Sequence, residues 1–248
     1  MTRIGVGITT YNRASNLRDT LSGVFSTSTP DVIVVADDGS TDGTADVMED
    51  FPNVAYLRAP NGGIARNKNR LLFRLFAIER CDVVILLEDD TRPILRGWLE
   101  EWSRAAELYG SVSCCRPISG HGTANIPYTA TDTTAQAWAM HSQVWSDIGY
   151  LDPRFTGYGY EHVEYQRRAV RSGYGGFIND DGHERYFGIK SNWFTVDWQV
   201  PSTGTPEKVA AAFEALKLTV GDTGYKPGWD NFSVFVNECL TDAEQSGK

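Results

Sequence analysis

Five apolar residues, Val83 to Leu87, run without interruption into three carboxylates, Glu88, Asp89 and Asp90, in the segment VVILLEDDTRP. No other feature of the chain constrains its fold as strongly. An unbroken run of Val, Ile and Leu of this length reads as a strand buried on both faces, the environment of a parallel sheet covered by helices. Three acids at the carboxyl end of such a strand repel one another unless a cation sits among them. A divalent metal carrying a phosphorylated ligand meets that need. The plain alternative is a solvated acidic turn. The same strand-then-acid pattern upstream, Val32–Asp38 (VIVVADD), weighs against it.

Around this segment the first half of the chain alternates in period. Ile4–Thr9, Val32–Ala36, Val54–Leu57 and Val83–Leu87 read as strands. Ser15–Phe25, Thr44–Phe51, Ile64–Ile78 and Trp98–Leu108 carry helical spacing, with Leu71, Leu72, Leu75, Phe76 and Ile78 expected on the buried side of the third helix. Strands alternating with helices imply a doubly wound α/β fold, a mainly parallel sheet flanked by helices and joined by right-handed crossovers. The second half is less regular. Ser119–Thr134 reads as a long loop, Ala135–Met140 as a strand, and Ser142–Ile148, Glu161–Arg171 and Pro206–Leu218 as helices. Gly173 suits the cap of the second of these, and Pro206 the first turn of the third.

The 248 residues suffice for one large α/β domain, and neither a repeat nor a linker divides them. Residues 1–240 are therefore taken as one domain with an elaborated second half, followed by a tail over 241–248. Lys and Arg total 23 against 32 Asp and Glu, a formal net charge of −9. That balance argues against a broad electrostatic grip on nucleic acid or anionic membrane. Cys81, Cys114, Cys115 and Cys239 show no metal-ligand spacing and read as reduced packing residues. With no signal-peptide pattern and no apolar run long enough to span a bilayer, the expected location is the cytoplasm.

In an open parallel sheet, ligands bind outside the carboxyl ends of the strands. Thr9-Thr10-Tyr11-Asn12-Arg13 follows the first strand, Asp37 to Thr44 (DDGSTDGT) the second, and Glu88-Asp89-Asp90 the fourth, so topology gathers three motifs on one edge. Gly39, Ser40, Asp42 and Gly43 are what a turn and helix cap need. Two adjacent carboxylates at a strand end are not, and such a carboxylate can accept an N–H from a base. Asn61-Gly62-Gly63-Ile64-Ala65-Arg66-Asn67 opens a helix, whose N-terminus attracts anions. Arg66 is read as a diphosphate contact, and Lys68 and Arg74 as a solvated basic face.

TTYNR, DDGSTDGT, NGGIARN and LLEDD, in this order and spacing, resemble the nucleotide-sugar-binding half of family-two-type glycosyltransferases of the GT-A fold. The resemblance covers roughly residues 1–190. Residues 1–110 are accordingly assigned to donor binding and 111–200 to the acceptor and catalytic half, and the helix read at Pro206–Leu218 makes 201–240 a helical extension. The resemblance implies that Thr9, Tyr11 and Asp38 hold the base, usually uracil, and that Arg13 and Arg66 belong to the donor site. Asp90 then binds a divalent metal, Mn2+ or Mg2+, with Glu88 or Asp89 towards ribose or sugar.

The stretch Gly157-Tyr158-Gly159-Tyr160-Glu161-His162-Val163-Glu164 resembles the family segment that ends in a Glu-Asp pair, where the Asp is commonly the base of inverting members. Here His162 stands in the Asp place. The base is His162 or Glu161, or Glu161 orients it; a helix-capping Glu beside a packing His is the structural alternative. Tyr158 and Tyr160 are expected to face the acceptor. Among the later residues, His183 resembles the late histidine that serves such enzymes as a metal ligand. The expected activity is metal-dependent, inverting transfer from a UDP-sugar to an acceptor hydroxyl on a protein, glycan, lipid-linked sugar or modified base. The rivals are a sugar-phosphate nucleotidyltransferase and a non-catalytic nucleotide- or sugar-binding protein.

Overall fold

The computed structural model describes residues 1–116, 122–157, 159–189, 192–197, 205–241 and 244. The first half alternates as its periodicity requires: β1 (Ile4–Thr10), α1 (Ala14–Thr27), β2 (Val32–Asp37), α2 (Thr44–Glu49), β3 (Ala55–Arg58), α3 (Ile64–Leu72, continued by the π-helical turn Phe73–Ile78), β4 (Val83–Glu88), β5 (Thr91–Pro93) and α4 (Trp98–Tyr109). Then follow β6 (Ser111–Arg116), β7 (Tyr128–Ala130), β8 (Asp132–His141), α5 (Ser142–Ile148), α6 (Glu161–Arg171), β9 (Gly176–Ile178), β10 (Glu184–Gly188), β11 (Phe194–Val196), α7 (Pro206–Leu218) and α8 (Phe232–Glu238).

One large sheet runs in the order β3-β2-β1-β4-β8-β6-β10-β7, with β9 paired to β10 and a separate β5–β11 pair. β1 lies parallel to β2 and β4, in a register that puts Thr9 opposite both Ala36 and Glu88. The sheet is parallel through its first four strands and mixed beyond, because β8 runs antiparallel to both β4 and β6. Successive side chains of a strand point to opposite faces. Val83, Ile85 and Leu87 accordingly join α1, α2 and α4 in one core, while Val84 and Leu86 join α3, α5, α6 and α7 in a second. That two-sided burial is why the run Val83–Leu87 is continuous rather than alternating.

Several expectations are corrected. Ile78 is exposed rather than buried. Past Leu72 the helix widens to π winding, which adds a residue to the turn and shifts the phase of the buried stripe. The segment expected as one loop carries β7 and the start of β8, Thr-rich stretches that suit a strand; its residues 119–121 lie outside the described residues. The supposed solvated basic face is inside. Lys68 and Arg74 are buried, and so are their neighbours Asn67, Asn69 and Arg70. Asn69 shows why: its side chain donates to Leu151 O and accepts from Leu151 N, both at 2.9 Å, stapling α3 to the second half of the chain. All four cysteines are free and buried, and no helix among the described residues is long and apolar enough to cross a membrane.

Candidate active site

An open cleft of about 690 Å³, counting the solvent space at its mouth, lies over the carboxyl ends of β1, β2 and β4. Thr9, Thr10, Tyr11 and Arg13 line it from the first motif, Asp38 from the second, Asn61 and Gly63 from the third, and Glu88 and Asp89 from the fourth. Thr156, Gly157 and Lys208 complete it from later in the chain.

The motifs hold one another. Asn12, in the left-handed region at φ 53°, accepts from Thr41 N at 2.7 Å, while its own N–H donates to Ser40 Oγ at 2.8 Å. This ties the turn after β1 to the turn after β2 and sets Tyr11 and Arg13 on the cleft wall. Asp37 is spent structurally, accepting from the Ser40 amide and hydroxyl and from the Tyr56 hydroxyl. Asp38 faces the cleft and accepts the N–H groups of Gly62 and Gly63, both at 2.9 Å. Gly63 has no alternative residue. Its φ is 89°, and a Cβ there would lie 2.3 Å from Thr156 O.

The acid triplet divides its work. Asp89 accepts from Thr10 Oγ1 at 2.8 Å and from Arg13 at 3.1 Å; Asp90 accepts from the same Arg13 nitrogen at 3.0 Å. Burial pushes the Asp89 carboxyl up to about 7 despite Arg13. Burial and then the charge of Glu88 push Asp90 up as well. Burial is the first cause of both shifts, and the hard carboxylate oxygens of this triplet are the donor type that fits a divalent cation. Asp90 is the more open of the two acids, so it is the residue that would hold such an ion, with Glu88 and Asp89 beside it. A second acid group, Asp152, Glu164 and Asp222, does not fit one. The Lys226 ammonium already lies among them, 2.6, 3.3 and 2.8 Å from their oxygens in that order.

Glu88 leads to the acceptor half through a residue that the sequence reading set on the surface. Lys68 Nζ lies 2.9 Å from Glu88 Oε1 and 2.9 Å from Glu161 Oε1. Burial would raise the Glu161 carboxyl, but the charges of Lys68 and His162 hold it well below the usual carboxylate range. His162 Nδ1 is 3.4 Å from the same Glu161 oxygen. Glu161 Oε2 is buried and has no hydrogen-bond partner among the described residues. Neither Glu161 nor His162 lines the cleft directly; Lys68 joins them to Glu88, which does. Tyr160, just before them, takes the left-handed conformation at φ 65°, a strained setting for a non-glycine residue.

Three expected site residues are placed elsewhere. Arg66 is absent from the cleft lining; its guanidinium forks onto Glu238, with both contacts at 2.9 Å. His183 stands in the exposed turn between β9 and β10. Because β10 runs parallel to β6, and β6 and β4 are both antiparallel to β8, that turn sits at the edge of the sheet opposite Asp90. The structure therefore does not bring His183 and Asp90 together. Tyr160 packs its ring 5.5 Å from that of Phe213 on α7. Tyr158 lies outside the described residues. Sequence reasoning missed Lys68 and Lys208, whose only signal was a lysine in a helical segment.

This site, on this sheet, is that of a GT-A glycosyltransferase. The profile of the family described as "Glycosyl transferase family 2" matches residues 5–181, and the chain belongs to that family. No curated protein sequence matches it. Solved structures with TM-scores above 0.5 share its fold. Mycobacterium tuberculosis glucosyl-3-phosphoglycerate synthase, in complex with Mn2+, UDP and glucosyl-3-phosphoglycerate, is 13% identical with TM-score 0.56, over 88% of this chain and 78% of its own. S. aureus TarS 1–349 in complex with UDP-GlcNAc is 14% identical with TM-score 0.53, over 99% and 72%. The mannosyltransferase PcManGT of Pyrobaculum calidifontis, in complex with GDP-Man and Mn2+, is 17% identical over 76% of this chain, with TM-score 0.48; this chain spans 54% of it.

Proposed function

We propose that the protein transfers a sugar from a nucleoside diphosphate sugar, a UDP-sugar, to an acceptor hydroxyl with inversion at the anomeric carbon. The observation that carries this reading is the meeting of all four motifs on one cleft, whose wall carries the acids Asp38, Glu88 and Asp89. Thr9, Tyr11 and Asp38 hold the base, and Glu88 and Asp89 face ribose and sugar. A divalent cation, Mn2+ or Mg2+, held by Asp90 would neutralise charge on the leaving diphosphate.

His162 serves as the base. A carboxylate held below its usual range by a buried ammonium is a weak proton acceptor, which counts against Glu161 in that role. Imidazole is suited to it near neutral pH. Glu161 orients His162 through Nδ1. His162 takes the hydroxyl proton, the hydroxyl oxygen bonds to the anomeric carbon, and the bond to the diphosphate oxygen breaks in line. Neither rival gains support. Gly5 and Gly7 lie inside β1, where Cβ atoms would meet Cys81 and Leu75 in one case and Leu86 in the other within 2.9 Å, so these glycines serve packing rather than a nucleotidyltransferase phosphate loop. Four buried free thiols suit a reducing compartment, and we assign the protein to the cytoplasm.

The test is a screen of nucleotide-sugar donors in Mn2+, read as free nucleoside diphosphate. Release of UDP that rises with an added hydroxyl acceptor supports the reading. Release of pyrophosphate instead, or binding without turnover of any donor, refutes it.

A further inference from the structure

The charges on the cleft wall do not balance in the way an anionic donor requires. Three acids line it, Asp38, Glu88 and Asp89, and each is engaged: Asp38 by the Gly62 and Gly63 amides and by Arg70 at 3.5 Å, Glu88 by Lys68, Asp89 by Arg13. Of the two cations on the wall, Arg13 is shared between Asp89 and Asp90. The other, Lys208, has no carboxylate within ion-pair distance among the described residues. Arg66, the cation that the sequence offered for a diphosphate, is held by Glu238.

The backbone of Lys208 and the start of its side chain are held beside the cleft. Lys208 lies in the first turn of α7, where Thr205 caps the helix by accepting from the Lys208 amide at 3.3 Å. Its stem runs along Gly157, another residue of the cleft wall, with its Cβ 3.6 Å from where a Gly157 Cβ would stand. Ala212 and Leu216 bury the other face of α7 in the core shared with α3 and α6. The helix lies beyond residues 5–181, so the family match does not include it.

We infer that Lys208 binds a phosphate of the donor's diphosphate, so that α7, outside the family-matched region, supplies the positive charge that Arg66 does not. The inference rests on the nucleotide-sugar reading above. A lysine with no carboxylate partner among the described residues, on the wall of a cleft otherwise lined by paired acids, can meet a phosphate oxygen without breaking an ion pair described there. The contact lowers the free energy of bound donor and of departing diphosphate alike.

Calorimetry with UDP and with uridine, in Mn2+, on wild type, Lys208→Met and Lys208→Arg tests it. A charge-assisted contact predicts that Lys208→Met binds UDP about tenfold more weakly and uridine as wild type does, with Lys208→Arg close to wild type for both. Because Lys208 is exposed, thermal melts of all three proteins should coincide. UDP binding by Lys208→Met equal to wild type overturns the inference and leaves the donor reading standing. Equal loss of UDP and uridine places Lys208 at the base and also overturns it. If wild type binds neither UDP nor uridine, the UDP-sugar reading falls, and this inference with it.

Discussion

Lys68 and Glu161 form a 2.9 Å ion pair in which the side chains are only 2% and 3% exposed. The two residues come from different halves of the chain, α3 and α6. Lys68 also reaches Glu88 at the end of β4, so one ammonium fixes the donor-side acid relative to the acceptor-side pair. Its burial explains the sequence NKNR after the Gly-Gly turn. Those polar residues are not a wet face but fasteners between the sheet edge and later segments.

The first prediction concerns this pair. Burial works to lower the Lys68 pKa, but Glu161 and Glu88 outweigh it and hold the ammonium above its usual range. Glu161 is held below its own range, burial being outweighed by Lys68. A depressed carboxyl gives stability that is present above its unfolded pKa, about 4.3, and lost as pH falls below it; a raised ammonium gives stability present below about 10.4 and lost above it. The pair is therefore intact across neutral pH. Lys68→Met leaves the buried Glu161 without its ammonium and should destabilise by about 3–5 kcal/mol. The Glu161 pKa then rises, so the variant should gain stability on going from neutral to mildly acidic pH, where wild type does not. Thermal melts across that range check the sign. A Lys68→Met protein with the wild-type profile contradicts the pairing.

The second prediction separates the two candidate bases. His162→Ala should lower kcat by about 10²–10⁴ and leave donor KM almost unchanged, since it removes a proton acceptor used only in the transition state. Glu161→Gln should cost less in kcat, and should lower stability because Lys68 then loses one of its two acids. The acidic limb of the pH–rate profile should persist in Glu161→Gln. If instead that limb disappears in Glu161→Gln and survives in His162→Ala, the roles are reversed.

Much of this site was legible in the sequence because strand burial is a local signal. Val83–Leu87 and Val32–Ala36 place Glu88, Asp89 and Asp90 and Asp37 and Asp38 on one edge whatever else the chain does. What stayed hidden depends on partners far along the chain. Lys68 looks solvated until Glu161 arrives, 93 residues later, and Arg74 until Glu244 does, 170 residues later. His183 looks like a late ligand until the direction of β10 is known, and that direction is set by pairing with β6 and β7 rather than by the residues around His183. Lys208 carries no local signal, since only packing brings α7 to the cleft.

The third prediction concerns the cation site. Asp90→Asn removes a charged oxygen from a position where a hard cation fits, and transfer should fall to near background. Wild type treated with excess chelator should match it, and added Mn2+ should restore wild type but not the variant. Undiminished transfer in chelator would falsify metal dependence while leaving the glycosyltransferase family assignment in place.

The fourth concerns Asp38. It accepts two backbone N–H groups from the Gly62–Gly63 turn and also lines the cleft. Asp38→Ala should raise donor KM more than it lowers kcat, because base recognition is shared by ground and transition states. It should also cost about 1–3 kcal/mol of stability, since two part-buried amides lose their acceptor. Calorimetry with UDP separates the effects. Wild-type affinity in a destabilised Asp38→Ala protein leaves Asp38 a purely structural role.

The last prediction turns on Arg66, whose sequence setting and structural setting disagree. At a Gly-Gly helix start it reads as an anion contact, yet its guanidinium forks onto Glu238 and lies 5.9 Å from the Phe235 ring centroid, both on α8 or at its end. A planar fork on a carboxylate is a strong, orienting contact, and here it ties the start of α3 to the C-terminal segment. Glu238 also receives Arg70 at 3.1 Å, so one carboxylate gathers two arginines of α3. If the fork is structural, Arg66→Ala should lower stability by about 1–3 kcal/mol. That loss corresponds to a few degrees in Tm for a chain of this size. Donor KM should stay within about twofold of wild type, the effect of losing no direct contact. Lys208→Met should show the reverse, an unchanged Tm with a raised donor KM. Measured side by side, the two variants decide which cation meets the diphosphate. A raised KM with an unchanged Tm in Arg66→Ala returns the donor contact to Arg66 and removes it from α7.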